Sequence, residues 1–413
     1  MKIRFEMIEE AISNRSVKTQ RMYLGKGIRM REHRDIQTES DFSESVMNRY
    51  SDDNGRTWTD FSEDSMYYEQ DGEREILKRV NAVAPNPVTG HMVRSVMERI
   101  FLYEHKKAYE NYWTTGVMDW RDHTYMEISR DNGHTYPERY LLAYEDDMDI
   151  HRNHGYHGTN IEITPDGRIL SSVCAPLESI ARAFDINAYE YSLSPVITKA
   201  VVVFELEFDP DSDSYMISKS KPVIISDEKS SRGLLEPNIL FLKDGTYLLE
   251  CRGSNASPDG WKTRMKTGTP GYRWIAKSTD GMHFTEPEPM VYDDGQAFMS
   301  PSSISKWLRH SVTGKLYWLG NIIDKIPDGN LPRHPLCIGV FDEDGKCLLK
   351  DSVRTVDFRK EGEGWRLQCS NFSFYEDRET HEMKIEYSRL GQSADHRWMG
   401  DAVRFIIDDI TEE

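Results

Sequence analysis

No stretch of the chain approaches the roughly 18 consecutive apolar residues that a membrane-spanning helix needs. The N-terminal MKIRFEMIEEAISN carries several acids and has no apolar core of the kind a secretory signal requires. Cysteine is scarce. The five present (Cys174, Cys251, Cys337, Cys347 and Cys369) are odd in number and scattered, with no CxxC pair. That excludes a disulfide framework and fits reduced thiols, so a cytoplasmic location is expected. Basic charge is short as well: 52 Lys and Arg against 70 Asp and Glu give a formal charge of −18. A general nucleic-acid binder needs a basic surface to meet phosphates, so neither nucleic acid nor membrane is an expected partner. An anionic ligand stays open, because a local basic pocket can sit in an acidic protein. No phosphate-binding P-loop, HExxH or GxSxG motif occurs. No cofactor is expected.

Aromatics, by contrast, make up 11% of the chain, which argues against disorder. Polar turns recur with a regular spacing. YSDDNGRTW, EISRDNGHTY and KSTDGMHF each set a Ser, an Asp, a Gly and an aromatic in order. Asp bonds local amides and Gly tolerates positive φ, as a tight hairpin needs. FDPDSDSY and FDEDGK are degenerate members. A second series alternates with the first, near Gly27, Gly90, Gly167, Gly245, Gly314 and Arg378. Members of each series lie about 65 to 78 residues apart. Two interleaved series with one period predict a repeated four-stranded unit, with one series joining its first two strands and the other its last two. ILFLKDGTYLLEC and KAVVVFELEF have the apolar or alternating pattern of stacked sheets. The predicted class is all-β, a six-bladed β-propeller of four-stranded antiparallel blades. One domain is expected over residues 1–413. Its blades fall near 20–80, 81–145, 146–220, 221–290, 291–355 and 356–410, with the N-terminal segment closing the ring. Residues 56–80 and 175–198 read as long loops or short helices.

In such a blade both turn series lie on one face. The start of the first strand and the loop after the second strand lie on the other. The residues placed there are rich in cations. The first blade offers Arg29, Arg31, His33, Arg34 and Asp35, and the second Arg121 or His105. The third offers His151, Arg152, His154 and His157, and the fourth Arg232, Glu236 and Arg252. The fifth offers Ser300, Ser302, Asn321, Arg333 and His334, and the sixth Gln368, Ser370, Tyr387 and Arg389. Arg grips a carboxylate through two parallel hydrogen bonds, so this gathering predicts an anionic ligand. His151, His154 and His157 admit three readings: metal ligation, acid–base chemistry near neutral pH, or substrate bonding and loop packing.

Ser51-x-Asp53-x-Gly55-x-Thr57-Trp58 and Ser129-x-Asp131-x-Gly133-x-Thr135-Tyr136 resemble the Asp-box of the sialidase-like six-bladed propellers. EPNILFLKDGTYLLECRG is similar to that family's fourth-blade segment, and SPSSISKWLRHSVTGKLYWLGN to its fifth. The resemblance spans about residues 20 to 390. It implies that Glu236 supports a tyrosine nucleophile and that Arg252 holds a substrate carboxylate; Arg333, in the long loop NIIDKIPDGNLPRHPL after a second strand, is a candidate for a further clamp. The resemblance also implies an acid–base aspartate at Asp35 or Asp41. The family opens its sixth inner strand with Tyr-Ser, where this chain has Cys369-Ser370; Tyr387-Ser388 follows one strand later. The first blade also departs from the family's Arg-Ile-Pro opening.

The leading expectation is a sialidase-like exo-glycosidase acting on an anionic oligosaccharide. Its catalytic group is drawn from Glu236, Tyr387, Asp35 and Asp41. Arg252, Arg333, Arg34, His151, Arg152, Asn321 and His334 would bind the substrate. The runner-up is a lyase acting on a uronic acid, with a base such as His154 or His157, or a tyrosine. A third reading is a propeller that binds glycans without turnover.

Overall fold

The computed structural model describes the chain except at residues 40–41, 65–67, 73, 116, 146–150, 257–260 and 410–413. Asp41 lies outside the described residues. The described residues form six antiparallel sheets of four or five strands, the six blades of an all-β propeller. Two compact units share them: residues 1–64 with 290–413, and residues 65–289. We call these unit 1 and unit 2.

Unit 1 holds sheets 1, 5 and 6. Sheet 1 runs Ser16–Tyr23, Met30–Glu39, Phe42–Ser51 and Ser62–Glu63 in spatial order. Sheet 5 runs Lys306–Arg309, Leu316–Asn321, Leu336–Asp342 and Cys347–Leu348, and Arg354–Asp357 also pairs with its third strand. Sheet 6 runs Ser373–Glu376, Met383–Ser388 and Ala402–Asp408. The N-terminal strand Lys2–Glu9 completes it, with Phe5 opposite Phe405. Both ends of the chain thus contribute to one sheet.

Unit 2 holds sheets 2, 3 and 4. Sheet 2 consists of Tyr68–Asp71, Arg74–Pro85, Met92–Phe101, Trp120–Ser129 and Glu138–Leu141. In sheet 3 the inner edge is split: Tyr156–His157 and Glu162–Ile163 both pair with Ile169–Pro176, followed by Lys199–Asp209 and Ser214–Lys219. Sheet 4 is Leu235–Phe241, Tyr247–Arg252, Arg273–Ser278 and Glu288–Pro289. Continuous apolar runs such as Ala200–Phe204 are buried on both faces and fill the core with Ile169, Val173 and Leu249. Each such side chain contributes about 1.5–3 kcal/mol on burial.

The turns fall where their spacing puts them. Gly27, Gly90, Gly167, Gly245 and Gly314 all lie between the first and second main strands of their sheets. The Ser-x-Asp turns join third to fourth strands and share one bonding pattern. Ser51 Oγ donates to Asp53 Oδ1 at 2.8 Å, and that oxygen accepts the amides of Arg56 and Thr57 at 3.0 and 2.8 Å. Ser129 and Asp131 repeat the pattern, with the Thr135 amide at 2.8 Å. Ser278 and Asp280 do so with the amide of His283 at 2.8 Å. Gly55 has φ +80, and a Cβ there would stand 3.1 Å from the Trp58 ring, which packs back under the turn.

Two segments expected to be irregular differ from each other. Residues 175–198 hold the helix Leu177–Phe184 and a 3-10 turn, Ala188–Glu190. Tyr68–Asp71 instead pairs with Arg74–Pro85, with Tyr68 opposite Leu77. Dense charge in EREILKRV hides the strand period there. Blade one is also shifted from its expected start. Its first strand is Ser16–Tyr23, so Arg29 and Arg31 stand at the turn end of the second strand, not ahead of the first. The residue at the expected mouth is Arg15.

Candidate active site

The end of unit 2 opposite its turns gathers charged and phenolic side chains from three sheets. Glu236 is the second residue of Leu235–Phe241. Its φ of +45 is unusual for a residue with a side chain, and the register with Tyr247–Arg252 shifts between Leu235 and Asn238. Backbone strain of this kind persists only where surrounding structure fixes it. Arg252 Nη1 donates to Glu236 Oε2 at 2.8 Å. Beneath the shift, Asn238 Nδ2 donates to Glu250 Oε2 at 2.8 Å, and buried Arg273 pairs with Glu250 Oε1 at 2.5 Å. Thr159 donates to Asn238, which ties sheet 3 to sheet 4.

Tyr156 opens the inner edge of sheet 3, opposite Cys174. Its ring lies 5.4 Å from the Arg99 guanidinium and 4.2 Å from the ring of His157. Burial, then the charge of Glu236, pushes its hydroxyl well above the usual phenol range. Tyr156 is therefore a neutral phenol beside a carboxylate. Arg99 is committed to Asp122 through two bonds of 2.7 and 3.0 Å.

Two cations nearby have no carboxylate partner among the described residues. Arg232 Nη2 donates to the Tyr112 hydroxyl at 3.2 Å, and its guanidinium lies 5.6 Å from the Trp261 ring. No carboxylate among the described residues pairs with it. Lys199 opens the third strand of sheet 3, and its Nζ donates to the Met118 sulfur at 3.4 Å. Burial, the largest cause, lowers its amine to about 8; Cys174 and Asp122 act to raise it, and Arg232 and Arg99 to lower it. Gly233, at φ +72, lets the two strands approach: a Cβ there would stand 2.0 Å from the Lys199 carbonyl oxygen. The Lys199 amide donates to the Arg232 carbonyl at 2.9 Å.

The three histidines are not gathered. His151 is exposed, and its carbonyl accepts from Arg121 at 3.1 Å. His154 is fully buried with its ring 4.9 Å from that of His123. His157 bonds the Gly158 carbonyl through Nδ1 at 2.6 Å. The amides of His154 and Gly155 bond the Asp122 carbonyl at 3.1 and 2.8 Å, so the stretch is laid along sheet 2. No group of three or more His, Cys, Asp or Glu among the described residues could hold a metal ion. Arg152 pairs with Glu145 at 2.7 Å.

The remaining candidates lie in unit 1. Tyr387 is wholly buried, stacked on Phe405, with its hydroxyl donated to Asp357. Arg389 also bonds Asp357, and reaches both Glu363 oxygens at 2.7 Å. Tyr387 presents no hydroxyl to solvent. Arg333 bonds Gln368 Oε1 at 2.8 Å and the carbonyls of Ser302 and Asn330. Asn321 donates to the carbonyls of Pro335 and Cys369 at 3.0 and 3.2 Å. His334 is shifted down, by burial first and then by Arg359. Asp35 is buried with one carboxylate oxygen unbonded, and Arg34 pairs with Glu9. Glu236 and Tyr387 thus belong to different units.

No protein-family model matches the chain. No curated protein matches it either. Solved structures do. A protein of unknown function from Dyadobacter fermentans superposes with a TM-score of 0.59 at 14% identity, covering 98% of this chain and 99% of that one. The NanB sialidase of Streptococcus pneumoniae gives 0.55 at 11%, covering 97% of this chain and 70% of that one. A leech intramolecular trans-sialidase bound to 2,7-anhydro-Neu5Ac gives 0.50 at 11%, covering 95% and 68%.

The fold is that of the sialidases.

Within this sialidase-like propeller, sequence reasoning picked out Glu236 and Arg252 as a pair, and they are one. It passed over Tyr156, Lys199, Arg99 and Asp122. Tyr156 sat unnoticed inside HRNHGYHG. A signal for Lys199 was present: a lone lysine opening the apolar run KAVVVFELEF.

Proposed function

We propose that this protein is a carbohydrate-active enzyme that cleaves a glycosidic linkage at an anionic sugar. The observation that carries the reading is Arg232, a half-buried guanidinium with no carboxylate partner among the described residues, in the segment that leads into the strand of the Glu236–Arg252 pair. In a protein of charge −18 such a cation is available to a substrate carboxylate. Tyr156 supplies a phenol next to Glu236. A neutral nucleophile suits an anomeric centre that bears a carboxylate, which would repel a second anion. Glu236 would take the phenolic proton as the oxygen attacks the anomeric carbon. The bond to the leaving oxygen would break with that oxygen taking a proton from solvent, and water would then release the sugar and restore the phenol. Arg252 would fix the Glu236 carboxylate for these transfers. The glycosidase-like fold supports the class of reaction only, since one fold carries many activities.

The test compares an aryl sialoside, an aryl glucuronide and an aryl glucoside as substrates. The reading expects release from one of the anionic pair and none from the neutral glycoside. It expects Tyr156→Phe to abolish release and Arg232→Met to raise KM. Equal release from the glucoside, or full activity in Arg232→Met, would overturn it. The lyase reading takes a histidine or a tyrosine as base; the histidines are dispersed, which leaves Tyr156 for that role, and an unsaturated product would favour it.

A further inference from the structure

Lys199 has no part in the reaction just described, yet its setting is that of a reactive amine. It is half-buried at the start of a buried strand. The groups that face it are the Cys174 thiol, the Asp122 carboxylate, and the guanidinia of Arg232 and Arg99. Asp122 is engaged by Arg99, and Cys174 is held neutral by burial, its thiol raised to about 11. Among the described residues no carboxylate bonds the amine; the Asp122 charge acts to raise it, and two nearby guanidinium groups act to lower it. A desolvated lysine beside another cation is the arrangement that makes an amine nucleophilic at neutral pH. Arg232 is held against the Lys199 backbone through the close approach at Gly233.

We propose that Lys199 is a covalent binding site for an α-keto acid, with the amine forming an imine and Arg232 holding the carboxylate. The Nζ lone pair attacks the keto carbon and a C–N bond forms. The carbonyl oxygen leaves as water, carrying both amine protons, and the carbon–nitrogen double bond closes. Nothing is oxidised or reduced. The class fits the pair of groups: a carbonyl for the amine, and a carboxylate adjacent to it for the guanidinium. The inference does not rest on the glycosidase reading, because it requires no glycoside.

The experiment uses the full chain with pyruvate as probe and sodium borohydride to trap the imine, followed by peptide mass mapping. One reduced pyruvate is expected on the peptide containing Lys199, saturating with pyruvate concentration. Lys106 and Lys107, on the surface helix His105–Thr115, should be labelled far less. Labelling should rise with pH through about 8, where the amine loses its proton, and not near the ordinary lysine value. Arg232→Met should weaken pyruvate saturation roughly tenfold, the loss of one charge-assisted bond. Acetone, which has no carboxylate, should label Lys199 poorly. Lys199→Arg, which keeps the charge, should abolish the adduct. Absence of an adduct at Lys199, or labelling no greater than at Lys106 and Lys107, would overturn the proposal. Equal labelling by acetone and pyruvate would overturn the assignment of Arg232.

Discussion

Replacing Lys199 by Met should stabilise the protein at neutral pH. The cause is the cost of holding a charged amine where burial disfavours it. Its folded value of about 8 lies below the ordinary 10.5. That gap, at about 1.4 kcal/mol per pH unit, sets a ceiling of roughly 3 kcal/mol. The sign follows from proton counting. Below pH 8 the amine is charged in both states and the full cost falls on the folded one. Between about 8 and 10.5 the unfolded chain binds the proton and the folded chain does not, so wild-type stability rises with pH. Above that range the cost is gone. Met keeps the length of the side chain and its packing against Met118 without the charge. Urea unfolding of both proteins at pH 6.5, 8.5 and 10 measures the difference. The variant should lead by up to roughly 3 kcal/mol at the lowest pH, with the gap closing as pH rises. A variant that is less stable at pH 6.5, or a difference that does not change with pH, would refute the reasoning.

Other perturbations probe other parts of the account. Arg273→Met removes one member of a pair that is almost wholly buried and leaves Glu250 uncompensated; it should cost about 3–5 kcal/mol in denaturant unfolding. Tyr387→Phe removes a buried hydroxyl from Asp357 and should cost about 1–3 kcal/mol while leaving turnover of an anionic glycoside intact; turnover lost in a folded variant would instead make Tyr387 the reacting phenol. Asp131→Ala should lower the thermal midpoint more than Asp211→Ala, because the Asp131 carboxylate accepts two amides and two hydroxyls in its turn. Those bonds hold the Asp131 carboxyl below its usual range, so its contribution is present above the ordinary carboxylate value and fades as pH falls through the lower folded one.

The turns were readable because their chemistry is local. Asp, Gly and Ser within five residues fix a hairpin wherever it occurs, and the period of the hairpins fixes the number of sheets. The Glu236–Arg252 pair was readable for the same reason: one hairpin joins the two residues. The other groups around it were not. Tyr156 feels the charge of Glu236 on the next sheet, and Lys199 and Arg232 meet through a backbone approach that Gly233 permits. Such juxtapositions depend on how sheets stack, and sequence spacing holds no record of it. The histidine stretch shows the opposite hazard. Three histidines within seven residues left metal ligation, acid–base chemistry and loop packing all open, and the backbone bonds of His154 and Gly155 to Asp122 lay the stretch along sheet 2 with its histidines in different surroundings. Blade one was misjudged through the strand Met30–Glu39, whose cations drew attention away from the less conspicuous Ser16–Tyr23 before it.

Under the proposed function Glu236, Tyr156 and Arg232 act together on an anionic glycoside. The most direct test is product analysis on sialylated and uronate-containing oligosaccharides, with wild type and Glu236→Gln side by side. Released sugar is followed by mass spectrometry and unsaturated uronate by ultraviolet absorbance. The account predicts a saturated sugar, heavier by one water and with a free reducing end, from wild type and none from Glu236→Gln. An unsaturated uronate, or tight binding of these oligosaccharides with no product, would contradict it.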